Sequence, residues 1–561
     1  MSESKAKFVY PRLQLAYLLQ FAIWGSWSIA LGGYLNGKLE AVKIIGDWTG
    51  GIGLIYNAYP IGVILAAMFI GPIADRFLAA QKMLGILQLI GGVALCAAGY
   101  ICATAVAAGN MIPFWPLFLL MLLSGICYLP TIPLINAVVF KHIPDTSKAT
   151  WVFIFGTLGW ILVNLFIEIG CGGATNPMFF YVGGALALFY GFYAFSLPDT
   201  PPKGAPAEGA KSDALGLGAL AMFKNYKFTI FVLCAFMVSL FGSNFYFPKL
   251  VTYLSEHGYP APMALGTLNQ FSELFFMALL GFCVARFGLK WVLVLGMGAW
   301  ALRYFIFTLD GFSFALIGLL LHGMAYAYLY TAAYMFGDKV APAHLKASVQ
   351  SLLAFLLLGV GQLMSGVFVD FQEGKSLPEK VPTVVNGKAD AEKPVTAFLP
   401  WSEKSNLQYL ELAKSLQFAM GEKRAFDTID LADYATDGKL TVADLTMDKL
   451  KGNSEVTDEE RAKAKEGEIL IGSFPNISPV KIADAKVQLE SVMAKTGTKE
   501  LSRADWLKVQ RHDWKTFFMM PSCFCLFWLV VFLLFGREPD AAAEVKAAVE
   551  VKVENADTVV A

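Results

Sequence analysis

Apolar residues in this chain come in long blocks separated by short polar stretches, and the blocks have the length of a bilayer crossing. About 20 residues of α-helix span the hydrocarbon. Such blocks occupy residues 13–35, 49–71, 82–107, 112–139, 150–170, 177–197, 228–254, 262–286, 290–309, 312–336, 345–370 and 515–535. The pattern predicts an all-α membrane protein with twelve transmembrane helices and both termini on one side. The first block follows Lys5, Lys7 and Arg12 as a signal peptide would, but it is too long, ends in no small-residue cleavage site and is followed by more of its kind. It is read as a retained span.

The short loops give the orientation. Arg76 with Lys82, Lys141 with Lys148, the 198–227 linker, Arg286 with Lys290, Lys339 with Lys346, and Arg537 fall on the same side as the N-terminus, and the opposite short loops carry little positive charge. The positive-inside rule makes that side cytoplasmic. A repeat is also visible. Gly71-Pro72-Ile73-Ala74-Asp75-Arg76-Phe77 closes the second span and Gly281-Phe282-Cys283-Val284-Ala285-Arg286-Phe287 the eighth, with Gly, Arg and Phe in the same places. Corresponding positions in two six-span halves indicate duplication. The expected organisation is a six-helix bundle over 1–197, a Pro- and Gly-rich cytoplasmic linker over 198–227, spans seven to eleven over 228–370, and a twelfth span over 514–536. A long polar stretch, 371–513, is expected outside the membrane as a small helical domain, with helical spacing in Asn406 to Met420, Ile482 to Ala494 and Leu501 to Val509. Residues 537–561 read as a disordered tail.

Composition agrees and excludes other classes. The chain is 56% apolar and 16% charged, with 44 basic and 44 acidic residues, so it lacks the basic excess a nucleic-acid binder needs. Its eight cysteines sit mostly inside apolar blocks without paired spacing, and it has five histidines; neither a zinc site nor a disulfide framework is suggested. No phosphate-cradling glycine loop and no nucleophile–base constellation is legible, so neither ATP-driven transport by this chain alone nor catalysis is expected, and no cofactor.

Ionisable groups inside spans are costly and mark function. Glu273 in the eighth span is the foremost, and Gln270 three residues earlier shares its helix face. An amide and a carboxyl aimed into a cavity can hydrogen-bond a hydroxylated or heterocyclic solute, and Glu273 is also the proton-coupling candidate. Arg303 is the other midspan charge, suited to a binding role or a structural tether. His322 reads as a hydrogen-bonded packing residue. Lys249, Glu256 and His257 lie near the outer end of the seventh span, where snorkelling explains them. Trp24 and Trp27 share the first span with Gln20, Ser26 and Ser28, a segment too polar for full lipid exposure and one that offers stacking surface to a planar base. Asp75 and Arg76 at a cytoplasmic turn suit a gate. In the long insert, Asp433, Asp437, Gly438, Leu440 and Asp444 follow a calcium-loop spacing, with Ala435 where a ligand belongs; Asp-Gly turn chemistry also accounts for them.

Several strings together resemble the nucleoside:proton symporters of the major facilitator superfamily. They are Leu19-Gln20-Phe21-Ala22-Ile23-Trp24-Gly25-Ser26-Trp27, the Gly71 to Phe77 turn, Tyr128-Leu129-Pro130-Thr131, Phe155-Gly156-Thr157-Leu158-Gly159-Trp160, Gln270-Phe271-Ser272-Glu273 and Trp300-Ala301-Leu302-Arg303. The resemblance covers nearly all of the membrane part and none of 371–513. It implies two six-helix bundles, alternating access, and proton-driven nucleoside uptake across a bacterial inner membrane. By position it implies nucleoside contacts at Gln270, Glu273, Thr157 and the aromatic Trp160. Two positions depart from the family pattern: Phe153 stands where relatives carry Arg, and Ala327 where they carry Asp. The leading expectation is a proton-coupled transporter of nucleosides. The second is a transport-derived receptor or assembly protein whose external insert captures a ligand or partner, or a transporter of another small polar solute.

Overall fold

The computed structural model describes residues 3–45, 48–65, 78–143, 146–201, 217–342, 345–376, 382–385, 388–394, 431, 434–446 and 479–537. Among them ten helices are long and apolar enough to cross a bilayer: α1 (Val9–Leu35), α3 (Ala80–Ala107), α4 (Phe114–His142), α5 (Trp151–Gly170), α7 (Tyr226–Glu256), α8 (Pro262–Phe287), α9 (Leu289–Phe307), α10 (Phe312–Val340), α11 (Ser348–Ser376) and α14 (Trp514–Phe535). Two further apolar helices are shorter, α2 (Ile52–Leu65) and α6 (Met178–Ala194). Ten of the twelve apolar blocks therefore appear as helices long enough to cross, and two as shorter apolar helices. At 17 residues α6 reaches only about 26 Å at 1.5 Å per residue, and the continuation of α2 lies at 66–77, outside the described residues.

Interruptions recur along the membrane helices, at Asn57 of α2 and Thr267 of α8 among others. α1 is broken by a turn at Ile29, α4 at Leu129 and Pro130, and α7 at Leu240 to Gly242, while α10 widens into a π-helical turn over Ala327–Thr331. α11 widens likewise over Phe355–Val360. Such defects free backbone groups and bend helices, and they concentrate where function needs them.

Helices α1, α3, α4, α5 and α6 pack chiefly on one another, α1 against α5 and α6 and α3 against α4 and α6; in the second group α9 packs on α10 and α14, and α8 on α10, while the start of α2 packs mainly on α11. Lipid tails provide no hydrophobic drive between helices, so close backbone approach matters. A Cβ at Gly159 would strike the Leu18 carbonyl of α1, and one at Gly323 would strike the Ser272 backbone of α8. These glycines set the α1–α5 and α8–α10 distances.

Residues 1–376 with 514–561 form one compact unit and residues 377–513 a second. α11 thus runs to Ser376, six residues past its expected end. The second unit, expected to be mostly helical, also carries short strand pairs among its described residues. It contains the antiparallel pair β3 (Pro382–Val385) and β4 (Lys388–Pro394), the pair β5 (Lys439–Leu440) and β6 (Leu501–Ser502), and helices α12 (Pro479–Thr496) and α13 (Arg503–Gln510). Its core gathers Tyr434, Leu440, Leu489, Val492, Leu501 and Trp506. The expected helix at Asn406 to Met420 lies outside the described residues. In the first unit a hairpin, β1 (Val42–Ile45) with β2 (Trp48–Gly50), joins α1 to α2.

The Asp-Gly loop in this second unit is a turn. Asp437 and Gly438 take positive φ of 50° and 72°. The Asp444 carboxylate accepts from the Thr441 N–H at 2.8 Å and the Thr441 hydroxyl at 2.7 Å, a capping box that uses the oxygen a calcium ion would need. Asp433 lies outside the described residues, among which no cluster of three metal-ligating side chains occurs.

Candidate solute-binding site

Aromatic side chains form a bridge from the first helix group to the second. Trp24 of α1 meets Trp160 of α5 edge-on, with ring centroids 5.5 Å apart at 71°. Trp160 lies 6.0 Å from Phe247 of α7, and Phe247 lies 5.8 Å from His322 of α10. Gly25 and Gly159 let α5 lie close enough to α1 for this contact, so the Gly-Thr-Leu-Gly-Trp string is first a packing device that then aims Trp160. Thr157 on the same helix is partly exposed. Trp27 faces elsewhere: it is 2% exposed and packs on Tyr59 of α2 at 4.3 Å.

On α8, Ser272 donates to the Leu320 carbonyl of α10, and its hydroxyl accepts from the Gly323 N–H at 3.1 Å. That clamp fixes the rotation of α8 and with it Gln270, which is buried, and Glu273, which is partly buried. Glu273 is close enough to Tyr326 of α10 for the two to interact electrostatically.

Arg303 is fully buried in α9. Its Nε donates to the Gly318 carbonyl at 2.9 Å, one terminal nitrogen to His322 Nδ1 at 3.0 Å, and the other to Asn269 Oδ1 at 3.5 Å. The guanidinium also lies 3.5 Å from the Tyr246 ring centroid, a cation–π contact. A guanidinium cannot discharge, so each donor needs an acceptor; by accepting at Nδ1, His322 is held as the tautomer protonated at Nε2. This set ties α7, α8, α9 and α10 together, and of the two roles expected for Arg303 the geometry favours the tether.

Other polar groups form contacts that hydropathy alone does not reveal. Gln20, Gln88, Thr131 and Tyr128 form a buried network in the first group, with Gln20 Nε2 donating to Thr131 at 2.7 Å and Gln88 Nε2 to Thr131 at 2.9 Å. Asn244 of α7 reaches Asn57 of α2 at 3.4 Å and Gln362 of α11. Lys249 does not snorkel. It is wholly buried and ion-paired with Glu373, because α11 continues alongside it. Glu256 accepts from the Trp514 indole at 2.9 Å, and His257 Nδ1 lies 2.7 Å from the Tyr253 carbonyl and its Nε2 3.4 Å from Asp310. Asp75 and Arg76 lie outside the described residues. All eight cysteines are free.

Interrupted helices and a polar, aromatic seam between two helix groups are the features of a carrier, and comparison with known proteins decides which. The model of the nucleoside H+ symporter family matches residues 8–376. The chain belongs to that family. It is 34% identical over 367 residues to the Escherichia coli (strain K12) protein YegT, covering 63% of this chain and 82% of that one. It is also 28% identical over 390 residues to the xanthosine permease of the same organism, covering 64% and 88%. The crystal structure of the nucleoside transporter NupG superposes with a TM-score of 0.55 at 22% identity, covering 66% of this chain and 91% of that one, a likeness of fold. The chain is thus a secondary active, proton-coupled nucleoside symporter working by alternating access, a multi-pass protein of the bacterial inner membrane and not an enzyme.

Within this symporter Phe153 and Ala327, the two positions expected from sequence to depart from the family pattern, are both packed into the bundle. The Phe153 ring lies 5.0 Å from Tyr17 and 5.6 Å from Phe140. Ala327 is fully buried at the start of the π-helical turn of α10.

Proposed function

We propose that nucleosides bind where the two helix groups meet, against the aromatic bridge of Trp24, Trp160 and Phe247. The observation that supports this is the position of Trp160, which touches a ring of its own group and a ring of the other. A nucleobase stacks on such a surface. In this reading Gln270, Glu273 and Thr157 supply the polar contacts to sugar and base, Glu273 takes and releases the coupled proton, Trp27 backs Trp24 within α1, and Arg303 holds the second group rigid. The twelve apolar helices form two six-helix bundles that rock about the site, with both termini in the cytoplasm, Asp75 and Arg76 at the cytoplasmic gate, and the 371–513 insert in the periplasm, where it is available to a partner.

The test is uptake of a radiolabelled nucleoside panel into proteoliposomes, with and without an imposed proton gradient, for the wild type and Glu273→Gln. We expect gradient-driven uptake that falls by about tenfold in the variant, the scale of losing one charge-assisted hydrogen bond. Full gradient dependence in Glu273→Gln would remove the proton role. Wild-type nucleoside binding in Trp160→Ala would remove the stacking site.

A further inference from the structure

At the end of the bundle away from the termini, the two helix groups are joined by hydrogen bonds, and one carboxylate carries most of the joint. Asp370 of α11 is 2% exposed. Its Oδ1 accepts from the Gly53 N–H of α2 at 2.7 Å, and its Oδ2 from the Leu54 N–H at 3.0 Å. The first turn of a helix has no intrahelical partners for its N–H groups, so a side chain from the opposite group completes α2. Gly53 and Gly366 pack so closely that a Cβ at Gly53 would strike the Gly366 carbonyl. One turn along α2, Asn57 accepts from Asn244 of α7 at 3.4 Å. Also near this end, the Met263 N–H of α8 donates to Glu168 of α5 at 3.1 Å. The other acid on this stretch of α11, Glu373, is paired with Lys249 of α7 and stays within the second group.

We propose that Asp370, with the Asn57–Asn244 pair one turn deeper, is the external gate of this symporter. Its carboxylate must release the Gly53 and Leu54 amides each time the nucleoside path opens to the outside. Both bonds are charge-assisted and run between groups that move apart in alternating access, so they stabilise the outward-closed state alone. Asp370 is a positioning residue: it sets the balance of the two states without contacting solute.

The proposal rests on the orientation given above, and the experiment separates the two. In a cysteine-free background, Val251→Cys places a thiol on α7 at a position buried against Gly33 of α1. Its labelling by a membrane-impermeant maleimide is followed in right-side-out and inverted vesicles. Asp370→Asn and Asp370→Ala should each raise the labelling rate in right-side-out vesicles by about tenfold, the factor for one lost charge-assisted hydrogen bond. Asn57→Ala, which leaves the acid in place, should raise it by a smaller factor. Acceleration in inverted vesicles only would keep the gate and reverse the orientation. Unchanged labelling in both Asp370 variants, with wild-type thermal stability, would overturn the gate. Should the Asp370 variants not fold, unchanged labelling in Asn57→Ala would overturn it.

Discussion

The two helix groups hide their polar side chains in different ways. In the first, the buried network is neutral: Gln20, Gln88, Thr131 and Tyr128 exchange amide and hydroxyl hydrogen bonds, and the aromatic Phe153 packs on Tyr17. In the second, the network surrounds a guanidinium, with Gly318, His322, Asn269 and Tyr246 all turned to Arg303. A neutral network tolerates the loss of a member, because each amide or hydroxyl bond contributes about 1 kcal/mol net. A buried cation tolerates little, because its partners are oriented for it alone and its removal leaves several of them unsatisfied. The first group is therefore expected to behave as a passive wall and the second as the rigid half that holds Glu273.

Removing the cation gives the largest effect. Arg303→Met should destabilise the protein in detergent by about 3 kcal/mol, seen as a lower thermal unfolding midpoint, and Arg303→Lys should not restore it, since an ammonium cannot reach the same acceptors in the same plane. A midpoint within about 1 °C of wild type in Arg303→Met, the shift that only about 1 kcal/mol produces in a chain this long, would erase the contrast between the groups. Next comes the clamp on α8. Gly323→Ala pushes a methyl into the Ser272 backbone, and overpacking of this kind costs about 1–3 kcal/mol; nucleoside affinity should fall with it, because Gln270 and Glu273 ride on the displaced helix. Gly159→Ala makes the matching change in the first group, and the ratio of transport loss to stability loss in the two variants shows which half positions the solute. Gln88→Leu should lower stability by only about 1 kcal/mol with uptake unaltered; a large drop in uptake would mean that the neutral network is part of the solute path. Smallest of all should be excision of 377–513 with a short linker, which removes a separate compact unit and should leave proteoliposome uptake at the wild-type rate. Lost uptake in that variant, with the protein still folded, would favour the receptor or assembly reading.

Much of the architecture was legible because the bilayer restricts the choices. Apolar blocks of bilayer length marked each helix, including α6, whose shortness was not legible since turns and caps shift ends without changing hydropathy. The polar residues of the candidate site were legible one by one: Glu273, Gln270 and Arg303 stand out in apolar runs. Their partners were not. Asp370 is the last residue of its apolar block, and only the continuation of α11 to Ser376 makes it an intramembrane acid as Glu273 is. Lys249 is ambiguous in sequence because near a span end snorkelling and ion pairing look the same, and only the position of Glu373 decides between them.

By itself the sequence determined a multi-span transporter: hydropathy blocks, loop charge and family strings are local properties, readable wherever they occur because lipid tests each segment alone. Tertiary structure decided the pairings. Asp370 and Gly53 lie 317 residues apart, as Trp24 and Trp160 are far apart in the chain, and which group meets which depends on helix rotation, on glycines that admit close contact and on breaks that turn a helix partway along. Those are properties of several segments at once, and no single stretch of residues contains them.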